Sequence, residues 1–146
     1  MSEPILLLNG IRTPDGTDLY SRYTHDYVTH TDHVTGNKYM VDGGLEYGRR
    51  SAWGDEIDLS IRSDDEFEVI RRAPLWGTRG INGNEPLRYV SIAAMDTNHI
   101  ETLINEYLPD QFRSGRGTQW LEVFNDLLLR EQIQRQEMRR FHDETP

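Results

Sequence analysis

The sequence predicts an α+β fold: an antiparallel sheet of about five strands from the N-terminal two-thirds, covered by two helices from the C-terminal third. Three observations predict it. Up to residue 92, short runs rich in Ile, Leu, Val, Tyr and Thr alternate with turn clusters such as Asn9-Gly10, Pro14-Asp15-Gly16 and Thr35-Gly36-Asn37. From residue 96 to 141 the apolar residues change to a helical period. At 146 residues the chain is long enough for one modest core and too short for two ordinary ones, so a single domain over 1–146 is expected, mostly β over 1–92 and helical over 96–141.

Ile5 to Leu8 is a short apolar run closed by Asn9-Gly10 and reads as a buried strand. Pro14-Asp15-Gly16 turns it into a first hairpin over residues 5–21, since proline presets the first corner and glycine accepts a positive φ. Tyr20 to Thr31, rich in Tyr, Thr and Val, predicts a second, long strand, which turns at Thr35-Gly36-Asn37 and returns through Lys38 to Val41. Alternation along that strand places His25 and Tyr27 on one face and Asp26 and His30 on the other. Gly43-Gly44 is a pivot, followed by a short helical turn that carries Arg49 outward.

Ile57, Leu59 and Ile61 alternate with polar residues, a half-buried strand. Ser63-Asp-Asp-Glu66 reads as a capping box before Phe67, with a hairpin return as the alternative. Trp76 to Pro86 is a glycine-rich loop, Leu87 to Ile92 a strand, and Asp96 or Thr97 caps a helix that runs to about Tyr107. The last helix carries Trp120, Leu121, Phe124, Leu127, Leu128 and Leu129, which cover more than one face and predict a homo-oligomer through this helix.

The net charge of -9 argues against sequence-independent nucleic-acid binding, which needs a cationic surface. The charge is uneven: residues 55–68 hold seven acids against Arg62, whereas residues 71–88 hold four arginines against Glu85. Zero cysteines exclude disulfides and thiolate metal sites. The start, with an apolar run of four residues, predicts neither a signal peptide nor a membrane span, so a cytoplasmic protein with no membrane partner is expected.

Two stretches carry candidate chemistry. In the first, Gly77, Gly80 and Gly83 offer backbone amides to a phosphate, Arg79 and Arg88 supply charge, and Trp76 or Tyr89 supplies a stacking surface; Arg49 and Arg50 add to the same ligand-binding set. The bland alternative is a surface loop whose tryptophan plugs the core. In the second, His25, Asp26, His30 and Asp42, with Asp32 and His33 nearby, supply imidazole and carboxylate ligands for a divalent metal, against the alternative of solvated hairpin groups joined by a local His–Asp hydrogen bond. No Gly-x-Ser-x-Gly or other nucleophile motif is present, and no cofactor is implied.

Ser21-Arg22 with His25-Asp26-Tyr27-Val28, Val41-Asp42-Gly43-Gly44 with Tyr47 and Arg49-Arg50, and Trp76-Gly77-x-Arg79-Gly80-x-x-Gly83 with Pro86-Leu87-x-Tyr89 and His99-Ile100 together resemble small, functionally unassigned proteins of tailed bacteriophages, over about residues 5–107. The resemblance implies a setting, the host-cell cytoplasm, and a class: a non-structural accessory protein acting as a counter-defence inhibitor that sequesters a nucleotide signal or binds a host defence protein. The alternative function is a metal-dependent phosphoesterase using the His25 to Asp42 hairpin.

Overall fold

The computed structural model describes residues 3–80 and 82–144; Met1, Ser2, Ile81, Thr145 and Pro146 lie outside them. In chain order the elements are β1 (Leu6–Arg12), β2 (Asp18–Ser21), β3 (Val28–Thr31), β4 (Lys38–Asp42), α1 (Gly44–Tyr47), β5 (Arg49–Arg50), β6 (Ile57–Asp58), β7 (Ile61–Arg62), α2 (Phe67–Ile70), β8 (Trp76–Thr78), β9 (Arg88–Val90), α3 (Thr97–Thr102), α4 (Leu108–Arg113) and α5 (Gln119–Glu144). The α+β class holds, with antiparallel strands throughout, but the strands divide among three small sheets instead of forming one of five. Two compact units, Met1–Asp65 and Glu66–Pro146, divide the chain, so the expected change from β to helix at residue 92 falls inside the second unit.

In the first unit β1 is the central strand. It pairs with β2 from Asn9↔Ser21 to Arg12↔Asp18, and its other edge is shared by β6 and β7. Sequence alternation predicts one strand over 56–62; the chain instead bends at Leu59-Ser60, where the Leu59 N–H donates to the Gly10 carbonyl at 2.9 Å. Ile61 is consequently buried while Ile57 is exposed. The second sheet runs β3-β4-β5. Ile11 and Leu19 from the first sheet pack with Tyr39, Val41 and Val28 from the second, giving this unit its own apolar centre.

The long strand expected over Tyr20–Thr31 is interrupted by a turn at residues 22–27. Asp26 makes it: its Oδ2 accepts the Arg22 N–H at 2.7 Å, and its carbonyl accepts the Ser21 hydroxyl at 2.7 Å. Short acidic side chains offer the backbone such local partners and so compete with a strand ladder. The face assignment for His25 and Asp26 therefore lapses, because neither residue lies in a strand.

The second unit is held by its aromatic residues and one buried carboxylate. Trp76 of β8 stacks on Phe124 of α5 at 4.9 Å between ring centroids and 6° between planes, and Trp120 stacks on Phe124 at 5.0 Å. The helix expected to stop near Tyr107 continues through Pro109 to Arg113. Proline lacks an N–H and its ring presses on the carbonyl four residues back; a π-helical turn over Leu103–Tyr107, closed by the Leu108 N–H on the Leu103 carbonyl, widens the ladder and accommodates it. Phe67 begins a short helix rather than a hairpin return, but no side chain caps it: Ser63 Oγ accepts the Ile5 N–H instead. Along α5, Phe124, Leu127, Leu128 and Glu131 are buried, whereas Leu129, Ile133, Met138 and Phe141 are exposed. No helix among the described residues is long and apolar enough to cross a membrane.

Candidate functional site

The glycine pivot after β4 shapes the first unit's clefts. Gly43 and Gly44 both take positive φ (82° and 53°), a conformation that costs an L side chain strain. Space forbids a side chain as well, since a Cβ on Gly44 would collide with the Tyr23 backbone. This close approach brings the 22–27 turn against α1. Between them opens a cleft of about 390 Å³ lined by Thr24, His25, Asp42, Tyr47 and Arg49, a size within the range of small-ligand pockets.

The cleft's polar groups come from the 22–27 turn and from three elements, β4, α1 and β5. Asp42 at the end of β4 accepts the Gly43 N–H on Oδ1 at 2.8 Å and Arg49 Nη2 on Oδ2 at 2.6 Å. The Arg49 hydrogen bond holds the Asp42 carboxyl below its usual range, so it stays ionised and acts as an acceptor only. Arg49 itself keeps 68% of its side chain exposed, leaving guanidinium donors for a ligand. Tyr47 is exposed, as are Tyr23 and Tyr27 on the turn that carries His25.

Arg49 and Arg50 part company on β5, as successive residues of a strand must. Arg50 Nη1 pairs with Asp58 and, at 3.0 Å, with Ser60 Oγ, beside a second and more polar cavity of about 270 Å³ that Tyr47 also lines. Asn9, a buried residue of that cavity's lining, donates to the Asp42 and Gly44 carbonyls at 3.1 Å each and thereby ties the pivot to β1.

The glycine-rich loop has a different geometry from the expected phosphate cradle. Trp76 is engaged with Phe124, and the register Gly77↔Tyr89 puts the Tyr89 side chain on the hairpin face opposite Trp76, so the two rings do not share a stacking surface. The space beside Gly77 is filled by Tyr89 and Leu87. A Cβ on Gly80 would meet the Glu85 carboxylate, which therefore sits where an approaching anion would have to go. Gly83 is open, and Arg79 and Arg88 are exposed. Of the sequence-nominated ligand residues, Arg49 and Arg50 each line a formed cavity, and Arg49 is the one beside His25 and Asp42.

The four candidate metal ligands do not converge. His25 and Asp42 share the cleft, Asp26 is committed to its turn, and His30 faces elsewhere. The partner of His30 is Asp15, 2.8 Å from Nε2, a residue the sequence shows only as a turn former. Asp15 Oδ2 also accepts the His33 N–H at 3.0 Å, while Oδ1 accepts the Thr13 hydroxyl at 2.5 Å and the Thr17 N–H at 3.1 Å. The Thr13 hydrogen bond, then those of His30 and the His33 N–H, hold the Asp15 carboxyl far below its usual range.

Asp32 returns the favour across the same gap. Its Oδ1 accepts the Asp15 N–H at 2.8 Å and its Oδ2 accepts from Val34 and Thr35, so the β1–β2 and β3–β4 turns are clasped by two carboxylates. Nothing in the sequence signals that pairing, because residues 15 and 32 meet only through the packing of two sheets.

Compared with known proteins, the chain matches no family model, and no curated protein or solved structure is significantly similar to it.

Proposed function

We propose that the protein is a non-enzymatic binding protein for a small ligand of the nucleotide class, held in the cleft of Thr24, His25, Asp42, Tyr47 and Arg49. The observation that carries this reading is the juxtaposition of an exposed arginine, an ionised carboxylate and an exposed tyrosine around one cavity of ligand size. A simple inorganic anion would be repelled by Asp42. A nucleotide suits all three groups: its phosphate pairs with the Arg49 fork, its ribose hydroxyls or base amine donate to Asp42, and its base stacks on Tyr47. In the setting implied by the resemblance to phage proteins, such a molecule acts as an accessory counter-defence protein that sequesters a nucleotide signal.

The test is mass spectrometry of small molecules released by heating the protein after incubation with lysate from cells whose nucleotide-signalling defences are active. Release of a nucleotide in stoichiometric amount is the expected result. Release of none from such a lysate would overturn nucleotide sequestration and leave host-protein binding as the accessory role to pursue.

A further inference from the structure

We propose that Asp15, His30 and His33 form a binding site for a divalent transition-metal ion of the zinc class, separate from the cleft. One ligand atom from each of the three lies within 4.8 Å of the others. The rings of His30 and His33 meet edge to face, 5.6 Å between centroids. Around a single zinc ion, with bonds of about 2.0–2.1 Å, tetrahedral ligands stand about 3.3 Å apart. Asp15 Oδ2 and His30 Nε2 already lie 2.8 Å apart, so binding asks for a small opening of that pair and a shift of His33, the exposed member.

The chemistry of the donor set selects the ion. Two imidazoles and one carboxylate suit zinc, iron, manganese or cobalt, whereas calcium and magnesium prefer oxygen alone. Three protein ligands leave at least one coordination position for water.

Much of the architecture needed around such a site is already present. Asp15 is ionised and acceptor-only, so the Nε2 of His30 carries the proton of their hydrogen bond. Metal entry requires that proton to move to Nδ1, freeing the Nε2 lone pair, with no net proton released from a neutral ring. Asp15 Oδ2 then exchanges His30 for the metal. Its bonds from Thr13, Thr17 and the His33 N–H remain and keep the carboxylate oriented, which is how groups beyond the ligands tune metal sites. Neither ring nitrogen of His33 has a hydrogen bond among the described residues, so recruiting it breaks none.

Asp32 holds the two turns that carry the ligands in register, so a bound ion should stiffen a cluster that needs only local adjustment. Calorimetric titration with zinc, absorption of the cobalt-substituted protein and thermal unfolding with and without zinc test this together. Wild type should bind one equivalent, give the intense visible bands of low-coordinate cobalt and melt at a higher temperature with zinc. His33→Ala, an exposed position, should lose the cobalt bands and bind zinc at least tenfold more weakly; His30→Gln should do the same, and His142→Ala should behave as wild type. No binding by wild type, or equal binding by His33→Ala and wild type, would overturn the proposal.

Discussion

Replacing Glu131 by Gln removes one charge from the most completely buried ionic group of the second unit among the described residues, and the cost can be worked out contact by contact. The Glu131 carboxylate has no exposed side-chain surface. Its Oε1 accepts Arg71 Nε at 2.7 Å, and its Oε2 accepts Arg71 Nη2 and Arg135 Nε, each at 2.8 Å. A glutamine best keeps its oxygen at the Oε2 position, where two donors converge, and turns its amide NH₂ against the Arg71 Nε–H. Two charge-assisted bonds then become neutral-acceptor bonds, losing about 1 kcal/mol each, and one is replaced by a donor facing a donor, costing about 1–2 kcal/mol. Arg71 and Arg135 retain 15% and 22% of their side-chain exposure and recover some solvation. The expected loss is about 3 kcal/mol, at the lower edge of what breaking buried ion pairs costs. At about 1–3 kcal/mol per molar urea this moves the unfolding midpoint down by about 1–3 M. A midpoint within about 0.3 M of wild type would refute the reasoning and reduce the triad to an ornament of packing.

The same carboxylate sets an acid limb. Burial alone would raise the Glu131 pKa, but the hydrogen bonds from Arg71 and Arg135 and their charges outweigh it, so its pKa is lowered on folding. A depressed carboxyl stabilises fully above its unfolded value, near 4.3, and that stabilisation is lost as pH falls through the folded value; the stability difference between wild type and Glu131→Gln should shrink on acidification below that point, as denaturation curves at stepped pH would show. Gly44→Ala should destabilise the protein by more than about 1 kcal/mol, combining a positive φ with collision against Tyr23, and urea titration checks it. Self-association through α5 remains a proposal supported by exposed Leu129, Ile133, Met138 and Phe141; light scattering at micromolar concentration should give twice the 17.1 kDa chain mass or more, and the monomer mass would end it.

The fold class was legible because turn residues and apolar period are local properties. Pro14-Asp15-Gly16 and the helical period of Trp120 to Leu128 mark a β-turn and α5 without tertiary information. What escaped were positions where one side chain overrides a run of propensities. Asp26 breaks a strand that Tyr, Thr and Val favour, and Leu59-Ser60 bends on the Gly10 backbone. Pro109 reads as a helix stop, yet the π turn before it lets the helix continue. At the candidate site, Arg49, His25 and Asp42 are nameable from sequence as types of chemistry, but their meeting with Tyr47 depends on the Gly43-Gly44 pivot docking on the 22–27 turn. Trp76 shows the converse: beside glycines and arginines it advertises a ligand, while its ring is occupied by Phe124.

Calorimetric titration of a panel of cyclic di- and trinucleotides and adenine dinucleotides into wild type, Arg49→Ala and Arg79→Ala tests the cleft most directly. If Arg49 pairs with the phosphate, its removal deletes a charge-assisted contact worth about 1.5–3 kcal/mol, a roughly ten- to hundredfold loss of affinity. Arg79→Ala, in the loop where Glu85 already lies against Gly80, should bind as wild type does. Binding that survives Arg49→Ala and is lost in Arg79→Ala, or no binding by wild type across the panel, would contradict the account.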